Sequence, residues 1–91
     1  LSVLEDFDFT KSIMVFPNPA KEQIHIGFPS ALQYESMLFV YDVRGNLLDS
    51  KIIPKTTEDY LLNCSELASG IYFFQIKSSN GAYASGKFVV N

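Results

Sequence analysis

Ninety-one residues with a formal net charge of −3 and only seven scattered Lys and Arg give no cluster that could neutralise a run of phosphates, which argues against nucleic-acid binding. A hydrophobic content of 47%, including eight Phe and five Tyr, is too apolar for a disordered segment, yet no apolar stretch approaches the roughly 20 residues of a membrane helix. The single cysteine, Cys64, rules out an internal disulfide, so a domain that buries only about 60–65% of its unfolded surface must stand on packing alone.

The chain starts at Leu1 rather than Met and shows no signal peptide, so it reads as a module of a larger protein. Residues 1–12, with Glu5, Asp6 and Asp8 among Leu4, Phe7 and Phe9, read as a linker entering the domain, able to pair weakly as an edge strand, or as a mobile acidic tail. Residues 13–91 form the domain proper, and its signal is repeatedly β. Ile13 to Phe16 is a short apolar run ended by Pro17. Pro17 and Pro19 fix φ on either side of Asn18 and disfavour helix at Phe16 and Asn18, giving a stiff corner. Gln23 to Phe28 alternates with Ile24, Ile26 and Phe28 on one face, and Pro29 stops it.

Ser36 to Val43 is almost continuously apolar, the pattern of a central strand covered on both faces. Asp42-Val43-Arg44-Gly45-Asn46 then reads as a hairpin turn, with Gly45 free to take positive φ and Asp42 able to accept from backbone amides. Leu47 to Ile53 and Glu58 to Cys64 are further strands. Ser65 to Gly70 suits one helical turn, capped by Asn63 or Ser65 and ended by Gly70. Ile71 to Lys77 is the strongest strand, Asn80-Gly81 suits a primed hairpin turn, and Ala82 to Val90 returns. About seven strands with turns every 8–12 residues and no helical period predict an all-β, immunoglobulin-like antiparallel sandwich. Tyr72, just inside its strand, is either a tyrosine corner bonding back to the preceding loop or an ordinary half-buried tyrosine.

Chemistry is sparse. His25, the lone histidine, sits opposite Ile24 and Ile26 and reads as a solvent-facing strand residue, while Cys64 reads as a small buried thiol. One Cys and one His cannot build a tetrahedral zinc site, and the loop after Asp42 lacks the alternating oxygen ligands of a calcium loop. Asn63-Cys64-Ser65 matches a glycosylation sequon, a frequent accidental match. Nothing calls for a cofactor or an enzymatic activity. Tyr72, Phe73, Phe74, Phe39 and Tyr41 could stack sugars, but they lie in runs that read as buried strands, and core packing is the favoured reading.

Three motifs remain, in order. Pro17-Asn18-Pro19 leads into the first full strand, Asp42-x-x-Gly45 follows an apolar strand, and Leu67-x-x-Gly70-x-Tyr72 precedes Gly81 and a closing Lys87-Phe88-Val89-Val90. In this order and spacing the chain resembles the C-terminal sorting domain of the type IX secretion system, from about Ile13 to Asn91. The resemblance implies a β-sandwich at the end of a cargo protein of a Gram-negative bacterium, recognised in the periplasm by an outer-membrane translocon. The resemblance also implies that a sortase-like cysteine peptidase usually removes it, cutting in or upstream of residues 1–12, and leaves the cargo extracellular or anchored at the cell surface. Carried over by position, the recognition residues are Gly70, Tyr72, Gly81, Lys87, Phe88, Val89 and Val90, with Pro17, Asn18, Pro19, Asp42, Gly45 and Leu67 mainly structural. The partners implied are the translocon, the peptidase and the N-terminal cargo domain, and edge-strand pairing into a homodimer stays open. The alternative reading is a carbohydrate-binding or adhesive sandwich module.

Overall fold

The computed structural model describes residues 13–91, so the acidic segment 1–12 expected to carry the cleavage region lies outside the described residues. Seven strands follow in order: β1 (Met14–Phe16), β2 (Gln23–Gly27), β3 (Ser36–Tyr41), β4 (Leu47–Ile53), β5 (Asp59–Asn63), β6 (Gly70–Ser78) and β7 (Tyr83–Val90). They form two antiparallel sheets, β1-β2-β5 and β4-β3-β6-β7. Relative to a constant-type immunoglobulin domain, the fourth strand has moved from the first sheet to the second, and the sandwich is otherwise as expected. Both peptide bonds preceding Pro17 and Pro19 are cis.

The inner faces supply the core. Ile24 and Ile26 of β2 and Leu62 of β5 meet Leu38, Val40, Phe74, Ile76 and Phe88 from the opposite sheet, all buried. Phe88 is the largest fully buried side chain, and its ring stacks on Tyr72 at a centroid distance of 5.7 Å and lies 6.4 Å from Phe74. Gly86 faces inward opposite Phe74, whose ring occupies the space where a side chain would stand. A Cβ at Gly86 would lie 2.7 Å from the Phe74 ring. Glycine inside a strand here marks a ring laid over the backbone.

Two expectations are corrected. The run from Ser36 is not covered on both faces: Ser36, Leu38 and Val40 are buried, whereas Met37, Phe39 and Tyr41 are only half-buried on the outer face. The aromatics divide the same way, with Tyr72 and Phe74 in the core and Phe73 41% exposed outside it. An apolar run on a central strand signalled hydrogen bonds on both edges, not burial of both faces. The segment after Cys64 makes no helix either; Leu67 donates to the Cys64 carbonyl in an isolated turn.

The hairpins flanking the larger sheet share one turn. Asp42 donates to the Asn46 carbonyl and accepts from Gly45, both at 3.0 Å, and Ser78 donates to Ala82 and accepts from Gly81 in the same way. Gly45 (φ 86°) and Gly81 (φ 94°) take the left-handed position that closes each three-residue loop. The primed two-residue turn expected at Asn80-Gly81 is therefore replaced: Asn80 keeps a negative φ, and Gly81 alone carries the reversal.

Gly86→Ala is expected to force Phe74 aside and to destabilise the domain by about 1–3 kcal/mol, the usual range for overpacking. Urea unfolding of the two proteins measures it, and an unchanged midpoint would contradict the packing described.

Candidate functional site

The sandwich has two dissimilar poles. The β1–β2 corner, the β3–β4 turn and the β5–β6 loop meet at one, because Ala20 bridges Val90, Tyr41 pairs with Phe73, and Gln23 pairs with Asn63. At this pole the structure gathers Pro17, Asn18, Pro19, Asp42, Gly45, Leu67, Gly70 and the end of β7. Gly81 is the exception. It lies in the β6–β7 loop, roughly 24 Å away along a strand rising about 3.4 Å per residue. The chain also enters β1 at that far pole, where Met14 pairs with Gly27.

The corner quoted by its prolines turns out to hold the last strand. Asn18 Oδ1 accepts from the Val89 amide at 3.0 Å, across 71 residues of sequence. Ala20 donates to the Val89 carbonyl at 2.7 Å, and Asn91 donates to the Ala20 carbonyl at 2.8 Å. Ala20 is fully buried in this seam, and its pairing with Val90 is parallel. The stiff corner thus itself pairs with the end of β7. Beyond the seam β7 is an edge strand. By the alternation of antiparallel ladders, Ser85 and Lys87 point their backbone N–H and C=O outward along with Val89, and only Val89 is covered.

The remaining motif residues fall into two groups. Tyr72, Phe88 and Val90 are buried, and the Tyr72 hydroxyl donates to the Ala68 carbonyl at 2.6 Å, a tyrosine corner. Leu67 packs half-buried on the core. Gly70, which opens β6 opposite Val90, and Lys87 are exposed, and Val89 is half-buried on the outer face. Asp42 serves the turn: its Oδ1 accepts from the amides of Arg44 and Asn46 at 2.9 Å each, and its Oδ2 from the Asn46 side chain. The Asn46 amide and then its side chain, with Arg44, hold this carboxyl below its ordinary range.

Sites for chemistry are few. Cys64 is buried, and burial pushes its thiol up, away from the nucleophilic thiolate. His25 stands on the outer face of the smaller sheet, with Nδ1 2.9 Å from Asp59 Oδ2 and its ring stacked on Phe16 at 5.0 Å. Among the described residues no group of three His, Cys, Asp or Glu side chains could hold a metal ion, and no helix is long and apolar enough to cross a membrane.

Sequence reasoning missed Ala20 and Gly86. Gly86 carried a usable signal, being a glycine inside a strand pattern; Ala20 carried none, since nothing local shows that it meets the far end of the chain. Compared with known proteins, residues 14–91 match the family model described as the secretion system C-terminal sorting domain, and no curated protein matches the chain.

Removing the Tyr72 hydroxyl in Tyr72→Phe is expected to cost about 0.5–1.5 kcal/mol, the net value of one such bond, measurable by urea unfolding. The lowered Asp42 pKa means that its stabilising contribution is complete above the ordinary value of 3.8 and is lost as pH falls through the still lower folded value. The melting-temperature gap between the parent and Asp42→Ala should therefore be open above pH 3.8 and narrow as pH falls below it. A gap that persists in acid would contradict the role given to this carboxylate.

Proposed function

From the premise that this chain belongs to the type IX secretion C-terminal sorting domain family, we propose that the folded sandwich is itself the export signal, read at its motif pole by an outer-membrane translocon. The family is one of sorting signals and not of enzymes, and the cargo it serves is secreted or displayed at the cell surface. The observation that carries the reading is the gathering of Pro17-Asn18-Pro19, Asp42-x-x-Gly45, Leu67-x-x-Gly70 and Lys87 to Val90 at one pole of a domain whose chain enters at the other. Motifs scattered over the sequence thus make one surface facing away from the incoming chain.

On this reading the residues split by job. Lys87, Val89 and Gly70 are accessible for recognition, whereas Tyr72, Phe88 and Val90 act by shaping the strand that presents them. Gly81 serves by closing the β6–β7 hairpin from the far pole. A sortase-like peptidase would cut upstream of β1 and leave the cargo free or attached to surface lipopolysaccharide. Transit runs through the periplasm of a Gram-negative cell.

A second reading, carbohydrate binding, is favoured by one observation: Phe39, Tyr41 and Phe73 stand on an open sheet face rather than in the core. It predicts binding of the isolated domain to a glycan array.

The deciding experiment fuses a periplasmic signal peptide, a reporter and this 91-residue segment in a type IX host and in a translocon-deficient strain. Reporter outside the cell only when the translocon works is the expected result, lost on deleting residues 86–91. Periplasmic retention of the folded fusion in both strains would overturn the reading.

A further inference from the structure

The outer face of the four-stranded sheet has a composition that the sorting motifs do not account for. Cross-strand pairs share a face, so Tyr41, Phe73 and Lys87 form one row across β3, β6 and β7, and Ile71 with Val89 forms the next row towards the motif pole. Phe73 and Ile71 are 41% and 45% exposed. Between Tyr41, Phe73, Gln75, Ser85 and Lys87 the surface dips into a hollow of about 340 Å³, floored by the backbone at Phe74 and Gly86, which face inward.

The charge on this face is one-signed. The register directs Lys77 and Lys87 outward, and no Asp or Glu occupies an outward position of β3, β4, β6 or β7. The carboxylate of β4, Asp49, pairs in register with the inward-facing Val40 and lies 3.8 Å from Lys51, at the lateral opening of the sandwich. Neither Lys77 nor Lys87 has an ion-pair partner among the described residues, on a domain whose net charge is −3.

We infer that this face, centred on the hollow between Phe73 and Lys87, docks a segment of a partner protein that carries carboxylates among apolar side chains. The apolar row supplies contact area, and the hollow accepts one side chain of the segment. Lys77 and Lys87 select the sign of charge. Two isolated lysines on an acidic domain make a poor match for an anionic lipid surface, which draws on clusters of cations. The inference rests on the sorting reading for its setting, and extends the surface well beyond the closing motif to residues on β3 and β6.

The test uses the same reporter fusion with Phe73→Ser combined with Lys87→Glu, and separately Lys77→Glu with Lys87→Glu. Lys51→Glu with Lys55→Glu, exposed residues off this face, is the control. Unchanged melting temperatures establish that the variants fold. Translocon-dependent export is expected to fall by about tenfold or more in both test variants, because opposed like charges cost an interface several kcal/mol, and to persist in the control. Normal export of folded test variants would overturn the inference while leaving the sorting reading intact; failure of the unmutated fusion to export would instead sink that reading. As a direct probe, a synthetic peptide alternating phenylalanine and glutamate should shift the amide resonances of Phe73 and Lys87, and its phenylalanine–lysine counterpart should not. Equal shifts with both peptides, association of the domain with phosphatidylglycerol vesicles through this face, or a dimer in sedimentation that the test variants dissolve would each replace the proposed partner.

Discussion

The structure depends on one seam, in which the corner after β1 is hydrogen-bonded to the end of β7. Asn18, Ala20 and Asn91 make three hydrogen bonds there that satisfy five backbone groups, and Ala20 is sealed inside it. Each such bond is worth only about 0.5–1.5 kcal/mol net. Their weight lies in where they act. The seam joins the start of the first full strand to the end of the last, closing the sandwich along one side and covering the tip of an edge strand that would otherwise be exposed. Closing so distant a contact costs chain entropy, which the packing of the strands in between offsets. The last few residues are therefore a product of the whole fold.

On the proposed reading, that dependence makes a C-terminal signal conformational in nature. Phe88 and Val90 are fixed in the core by Tyr72, Phe74 and the β2 isoleucines, so the side chains that alternate with them, Lys87 and Val89, have set positions. The tyrosine corner and the Asp42 turn brace the neighbouring loops at the same pole. A partner reading this pole meets a rigid surface rather than a peptide, and a chain that has not folded does not offer it.

Much of this was legible in the sequence, for physical reasons that differ by element. Strands such as Gln23 to Gly27 announce themselves because the period of two survives wherever one face is wet. The turn at Asp42 was readable because its chemistry is local, an acceptor side chain followed by a glycine that takes positive φ. The openness of β3 on its outer face was not readable, since Met37, Phe39 and Tyr41 are as apolar as the buried residues between them. The switch of the fourth strand to the larger sheet was equally hidden, being decided by packing and not by its own residues. At the motif pole the motifs were visible, but the reason for the Asn between two prolines was not: its partner stands 71 positions away, and no local pattern encodes that.

Amide hydrogen exchange at Val89, followed by NMR in the full chain, tests the seam most directly. The account predicts that this amide, beside the chain end, exchanges at least about a hundredfold more slowly than in the unfolded chain. It further predicts that Asn18→Ala abolishes the protection at Val89 while Phe74 in the core keeps its own. A Val89 amide that exchanges freely in the native domain would show that the corner does not hold the last strand, and the view of the signal as a folded surface would fall with it.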